Sequence, residues 1–186
     1  MSLLKACLES RPLRSGHKPD QINSIMKNDQ ISLNILTELQ ADSSIRNQDL
    51  ADKIGLSPSP CLQRVRKLEK EKVITGYTAQ INLSKIFDHV VVILEVSLKN
   101  NDIKSALSFE AYIRKNPMVI ECNQVSGQFD YLVKFISRSI EHYMAESDKM
   151  LDHCEAIGSI KTHVAMKTIK EFTGFPIKHL MESYRE

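Results

Sequence analysis

What this 186-residue chain lacks already narrows its reading. No apolar run approaches the roughly 20 residues that a membrane-spanning helix needs. The longest, Val90–Leu94, is strand length, so a water-soluble protein with no membrane partner is expected. The opening stretch MSLLKACLESRPLRSG holds no continuous apolar segment of ~7–15 residues, which argues against a secretory signal. Cys7, Cys61, Cys122 and Cys154 are widely separated and form no CxxC pair, the pattern of reduced cytoplasmic thiols rather than of a disulfide framework. Catalytic signatures are missing too. His17, His89, His142, His153, His163 and His179 form no HExxH and pair with no cysteine at metal-ligand spacing. GxGxxG, P-loop and GxSxG patterns are absent. No catalytic residue, metal site or resident cofactor is therefore expected, and an enzyme built on the second half of the chain is the rival reading.

Excess charge is also lacking overall, at +2, but its distribution is uneven. Residues 29–56 carry two basic and five acidic side chains, and residues 57–89 carry six basic and three acidic ones. Positive charge thus gathers on one internal stretch, the footprint of a local basic face. A hydrophobic content of 42% supplies a core and excludes disorder of the whole chain.

Residues 1–28 mix Pro12, Ser15, Gly16, Pro19 and charges without periodicity and read as a leader or arm. From Asp29, the spacing of Ile31, Ile35, Leu36 and Leu39 predicts an amphipathic helix. A second runs over Asn47–Ile54, its apolar face Leu50, Ala51 and Ile54, and stops at Gly55. Ser57-Pro58-Ser59-Pro60 opens a third, because serine caps first-turn amides and proline is tolerated where amides lack helical partners. At 100° per residue, Leu62, Val65, Leu68 and Val73 share its inner side, and Ser59, Gln63, Arg66, Lys67 and Lys70 its outer side. Three short helices with a glycine turn and a basic last helix fit a helix-turn-helix over 29–76 that enters the major groove of double-stranded DNA. A merely solvated charged face is the alternative.

Tyr77–Ile81 alternates like a strand, so residues 77–89 are expected to be a strand linker. Residues 90–170 then read as βαββαβ, a ferredoxin-like split pair. A β-branched run occupies Val90–Leu98, and Ala106, Leu107, Phe109, Tyr112 and Ile113 take helical spacing. Strands flank the turn Ser126-Gly127-Gln128, with Phe129, Tyr131, Val133 and Phe135 on one face. A helix follows through Ile140, Tyr143, Met144, Ser147, Met150 and Leu151, then a last strand alternating Ile160, Thr162, Val164, Met166 and Thr168. Both helices fall on one sheet face, so the other, with Val91 and Ile93, needs cover. A second copy is the economical cover, and an ordinary half-exposed sheet is the alternative. Residues 171–186 form a tail. The fold class is α+β.

The stretches Asn34–Gln40, Gly55–Glu69, Ile74–Ala79 and Val125–Leu132, in this order, closely resemble the leucine-responsive/asparagine regulator (Lrp/AsnC) family, over about Asp29 to Lys170. The resemblance implies a prokaryotic, cytoplasmic transcription regulator in which a winged-type helix-turn-helix is joined to a βαββαβ module that binds a free amino acid, leucine or similar. It implies dimers assembling into octamers or other rings, with the effector bound between dimers near Ser126–Asp130 and the last strand. A family helix-one carboxylate falls on Ser32, and a position often Tyr is His163. Both the leader and the tail are longer than the family usually has.

The DNA candidates are Ser57, Ser59 and Pro60 at the positive end of the third helix, where a phosphate would sit, together with Gln63 toward adenine and Arg66 toward guanine. Arg64, Lys67 and Lys70 would neutralise phosphates. Cys61 is either a thiol activated at a helix start or, the bland reading, a small core filler. An amino-acid ligand needs donors for its carboxylate and an acceptor for its ammonium. Ser126, Gly127, Gln128 and Phe129 form the turn, Asp130 offers the acceptor, and Tyr131, Thr162, His163, Val164 and Met166 are candidate walls. A plain hairpin turn with a solvated Asp130 is the alternative. Beside the amino-acid-responsive regulator stands one rival: an architectural chromosome-organising DNA-binding protein with little effector control.

Overall fold

The computed structural model describes residues 29–183. The arm expected over 1–28 and the final three residues of the tail lie outside that range. Two units make up the described chain. One, the head, joins residues 29–80 to 170–183, and the other, the sensory unit, comprises 81–169.

The head begins with α1, Gln30–Ala41. Its N-cap is Asp29, whose carboxylate accepts the Ser32 N–H at 3.1 Å and the Ser32 hydroxyl at 2.7 Å. Helix α2 spans Asn47–Ile54 and ends at Gly55, where a left-handed φ of 72° lets the chain turn without the Cβ clash other residues would meet. Helix α3 spans Pro58–Lys70. Ile35, Leu50, Ala51, Cys61 and Leu68 form the buried centre, with Ile31, Leu36, Leu39, Val65, Val73 and Ile74 packed around it.

Three local expectations need correction here. Leu62 is 38% exposed, and Cys61 takes the inner position instead, because the buried stripe runs Cys61, Val65, Leu68. Val73 lies beyond α3, which ends as Lys72 turns left-handed (φ 59°) and the Val73 and Ile74 amides bond back to the Leu68 carbonyl. Residues 77–82 form no strand; a 3-10 turn at Leu83–Lys85 follows. An alternating segment becomes a strand only where a neighbouring strand takes its backbone groups.

The sensory unit runs β1 (Val90–Leu98), α4 (Ile103–Lys115), β2 (Val119–Gln124), β3 (Tyr131–Ser137), α5 (Ile140–His153) and β4 (Ile157–Val164). The antiparallel sheet has the order β2-β3-β1-β4, as a ferredoxin-like βαββαβ unit requires. Val92, Leu94 and Val96 pair with Phe135, Val133 and Tyr131, so these six side chains share the face on which Phe109, Ile113, Tyr143 and Met150 pack. Met144 (59%) and Leu151 (44%) stay largely exposed despite their spacing. β4 stops at Val164, short of Met166, which is 92% exposed. Opposite the helices, Val91, Ile93, Leu132 and Ile136 form a half-buried apolar row, as the paired registers Val91↔Ile136 and Glu95↔Leu132 dictate.

Residues 170–183 close the head. Their helix, α6 (Ile177–Ser183), packs on α1.

Candidate functional site

The outward row of α3 forms as expected. Ser59, Gln63, Arg66, Lys67 and Lys70 are all exposed, opposite buried Cys61 and Leu68. A helix buried on its apolar side and cationic on the other is the geometry a major groove accepts. The helix is fixed at both ends. Asn47 Nδ2 donates to the Pro58 carbonyl at 2.9 Å, tying the start of α2 to the start of α3. The Tyr77 hydroxyl donates to Glu69 at 2.9 Å, and its shielding together with that carboxylate pushes the phenol up to about 12. Asn47, Tyr77 and Glu69 were missed in the sequence, because an amide eleven residues from its partner or an aromatic eight away carries no local periodicity.

The start of α3 differs from the expectation. Ser57 occupies the N-cap but makes no side-chain cap bond. Pro58 and Pro60 have no N–H, and the Cys61 N–H is taken by the Ser57 carbonyl at 3.2 Å. Ser59 therefore supplies the only first-turn amide left for a phosphate, with its hydroxyl and that of Ser57 beside it.

Arg64 turns inward rather than outward. Its guanidinium bonds to the Asp29 carboxylate and lies 3.4 Å from the Ser32 hydroxyl. Burial raises the Asp29 carboxyl, but hydrogen bonds from Ser32 and the Arg64 charge outweigh it and hold the group below its ordinary value. The Cys61 thiol is fully buried and pushed up by that burial, opposite to an activated nucleophile.

At the sensory turn, Ser126, Gly127 and Gln128 are exposed and Gly127 has φ 136°, a conformation that favours glycine. Asp130 is half-buried. Its Oδ2 accepts the Leu98 N–H at 2.8 Å, and its own N–H donates to the Val96 carbonyl at 2.9 Å. The carboxylate therefore pins the turn to β1. Tyr131 is no wall: it is 2% exposed, its ring lies 4.6 Å from that of Phe109, and its hydroxyl donates to Glu110 at 3.3 Å.

The β4 candidates split across the sheet. Thr162 and Val164 share the helix-covered face, Thr162 within 2.6 Å of the Tyr143 hydroxyl. His163 lies on the other face, 3.0 Å from Glu95, which also holds Lys161 at 3.5 Å. Period-two alternation made that division legible. The Glu95 charge cluster was not, because its members come from two strands. Phe129 is half-buried beside the turn, and Met166 lies past the strand. Among the described residues, no group of three or more His, Cys, Asp or Glu could hold a metal ion.

Comparison with known proteins gives a consistent picture. A family model described as the Lrp/AsnC ligand binding domain matches residues 91–175, and one described as a winged helix-turn-helix DNA-binding domain matches residues 28–75. The leucine-responsive regulatory protein of Salmonella typhimurium is 36% identical over 150 residues, covering 81% of this chain and 92% of the relative. That of Escherichia coli K12 is 35% identical over the same shares. Among solved structures, an AsnC family transcriptional regulator from Agrobacterium tumefaciens is 31% identical with TM-score 0.77, covering 82% of this chain and 99% of the other. A transcriptional regulator from Neisseria meningitidis, in complex with L-Met, is 26% identical with TM-score 0.77 and shares 82% and 98%.

Proposed function

The chain belongs to the Lrp/AsnC family and is a ligand-responsive DNA-binding transcription regulator, and from that premise we propose how its parts divide the work. The family is one of regulators, not of enzymes. The observation that carries the DNA reading is the exposed row Ser59, Gln63, Arg66, Lys67 and Lys70 opposite the buried side of α3. In a major groove, Gln63 offers an amide pair to adenine and Arg66 a planar fork to guanine. Lys67 and Lys70 neutralise phosphates, and Ser57 and Ser59 fix register at the start of α3 beside Pro60. Arg64 acts at one remove, holding α3 against α1 through Asp29.

The ligand is a free amino acid with an apolar side chain, leucine or methionine being the first choices. That reading is supported by the leucine-responsive relatives and by the methionine-bound regulator of similar fold. Its ammonium meets the Asp130 carboxylate and its carboxylate the amides of Ser126–Phe129, while its side chain is met by His163 and Met166 from a neighbouring subunit, because β4 lies on the side of β1 away from the turn. The uncovered row Val91, Ile93, Leu132 and Ile136 supports a homodimer formed sheet to sheet, and dimers assemble further into an octamer or another ring. Two heads per dimer then suit paired half-sites. Among the described residues no helix is long and apolar enough to cross a membrane, and the regulator works where its DNA is, in the cytoplasm.

The test is operator affinity and light-scattering mass measured across the free amino acids. One ligand that shifts both, and fails to do so in Gly127→Arg, supports the reading. An unchanged response in Gly127→Arg removes the turn from the site, and constant affinity across all ligands favours the architectural alternative.

A further inference from the structure

The segment after β4 folds with the head rather than with the sheet it leaves. Chain ends ordinarily fray unless something ties them down, and here a specific clasp does so. The Gln40 side chain on α1 grips one residue of the segment, Phe175, through both of its backbone polar groups. Its Oε1 accepts the Phe175 N–H at 2.7 Å, and its Nε2 donates to the Phe175 carbonyl at 3.2 Å. The neighbouring Gly174 has φ 120°, an angle that favours glycine, and a Cβ there would press on the Gln40 side chain at 3.0–3.2 Å. Phe172 and Phe175 set their rings edge to face at 5.0 Å, and Ile177 and Met181 are half-buried.

The free span is short. Ala165 is still bonded to the sheet, its N–H donating to the Val91 carbonyl at 2.9 Å. Only residues 166–173 separate it from Gly174, a reach of about 28 Å at full extension. His163, a proposed ligand contact, lies three residues before this span. At its other end, α1 is bonded to both remaining head helices, to α3 by Asp29–Arg64 and to α2 by Glu38–Lys53 at 2.9 Å.

We propose that residues 170–183 are a coupling strap: clasped by Gln40, they give the chain a second connection between β4 and α1, covalent from β4 to Gly174 and hydrogen-bonded at Gln40, through which ligand held at the sensory turn alters how the head meets DNA. This rests on the functional reading above. The linker at 77–89 alone would leave the head on a single irregular connection, whereas the strap converts a shift of β4 into a pull on the helix that positions α3.

The experiment uses the full chain, L-leucine and L-methionine as probes, and a duplex selected by the wild-type protein from random sequence. Gln40→Leu and Gly174→Val attack the clasp from opposite sides, and a protease site placed within 166–169 cuts the link while leaving the clasp intact. Expected results are faster amide exchange over 170–183 in the two substitutions, calorimetric ligand affinity and ligand-free DNA affinity within about twofold of wild type, and a ligand-induced change in DNA affinity reduced about fivefold or more in all three. A full ligand response after the cut, or with the strap exchanging freely, overturns the relay, as does undiminished protection in both substitutions. If wild type itself responds to no amino acid, the functional reading falls and the relay with it, a failure visible without any variant.

Discussion

The two units solve the same stability problem in opposite ways. Among the described residues, the sensory unit has thirteen in its buried cluster and the head has five, which decides what else each needs. A large apolar core carries most of the sheet's stability, whereas a domain with a small core depends more heavily on caps and side-chain locks. In the head these are the Asp29–Ser32–Arg64 network, Lys53–Glu38 and the Asn47 bond to Pro58. The unit that must present one helix at a fixed angle is thus the one governed by polar geometry, and the unit that must hold a ligand is governed by packing.

The contrast is tested most severely by Phe135→Ala. Phe135 is fully buried in the centre of the sheet, so its loss should cost about 3–5 kcal/mol in the sensory transition, followed by denaturant melting, with the head transition unmoved. A smaller effect of a different kind is expected from Gln63→Ala and Arg66→Ala. Each should relax preference at one base pair by about 1–3 kcal/mol without changing either melting transition, and equal weakening on every sequence would contradict the base-reading role.

Arg64→Ala should invert that pattern, costing the head about 1–2 kcal/mol. It also carries a pH signature. The folded-state pKa of Asp29 lies below its ordinary 3.8, so its contribution is present above that value and disappears as pH falls through the depressed pKa. Removing Arg64 should move that acid loss of head stability to higher pH, whereas Arg66→Ala should leave it in place. The smallest effect belongs to Lys70→Ala: uniform weakening on all duplexes, with the slope of log affinity against log salt shallower by about one.

Much of this was legible in the sequence because it is periodic or punctuated. Apolar spacing set the three head helices, Gly55 stopped α2, and alternation put Tyr131, Val133 and Phe135 on one face. Two site readings fail for one cause: a local pattern is asked to decide something settled at a distance. Arg64 reads in the sequence as a phosphate contact, yet a carboxylate 35 residues away draws it in. Tyr131 sits next to the turn in sequence and stacks on Phe109 in space. The clasp of Gln40 on Phe175 joins residues 135 apart, beyond the reach of any window.

The paired prolines at the head of α3 have a kinetic consequence. Their rings fix two φ angles before any DNA is met, so the leading turn is wound once, during folding, rather than afresh at each encounter. A tip that arrives preshaped loses little motional freedom on docking, which favours brief sampling of many wrong sites over slow adjustment at each. Replacing Pro58 and Pro60 by alanine should therefore leave the chosen sequence the same while lengthening the search for it.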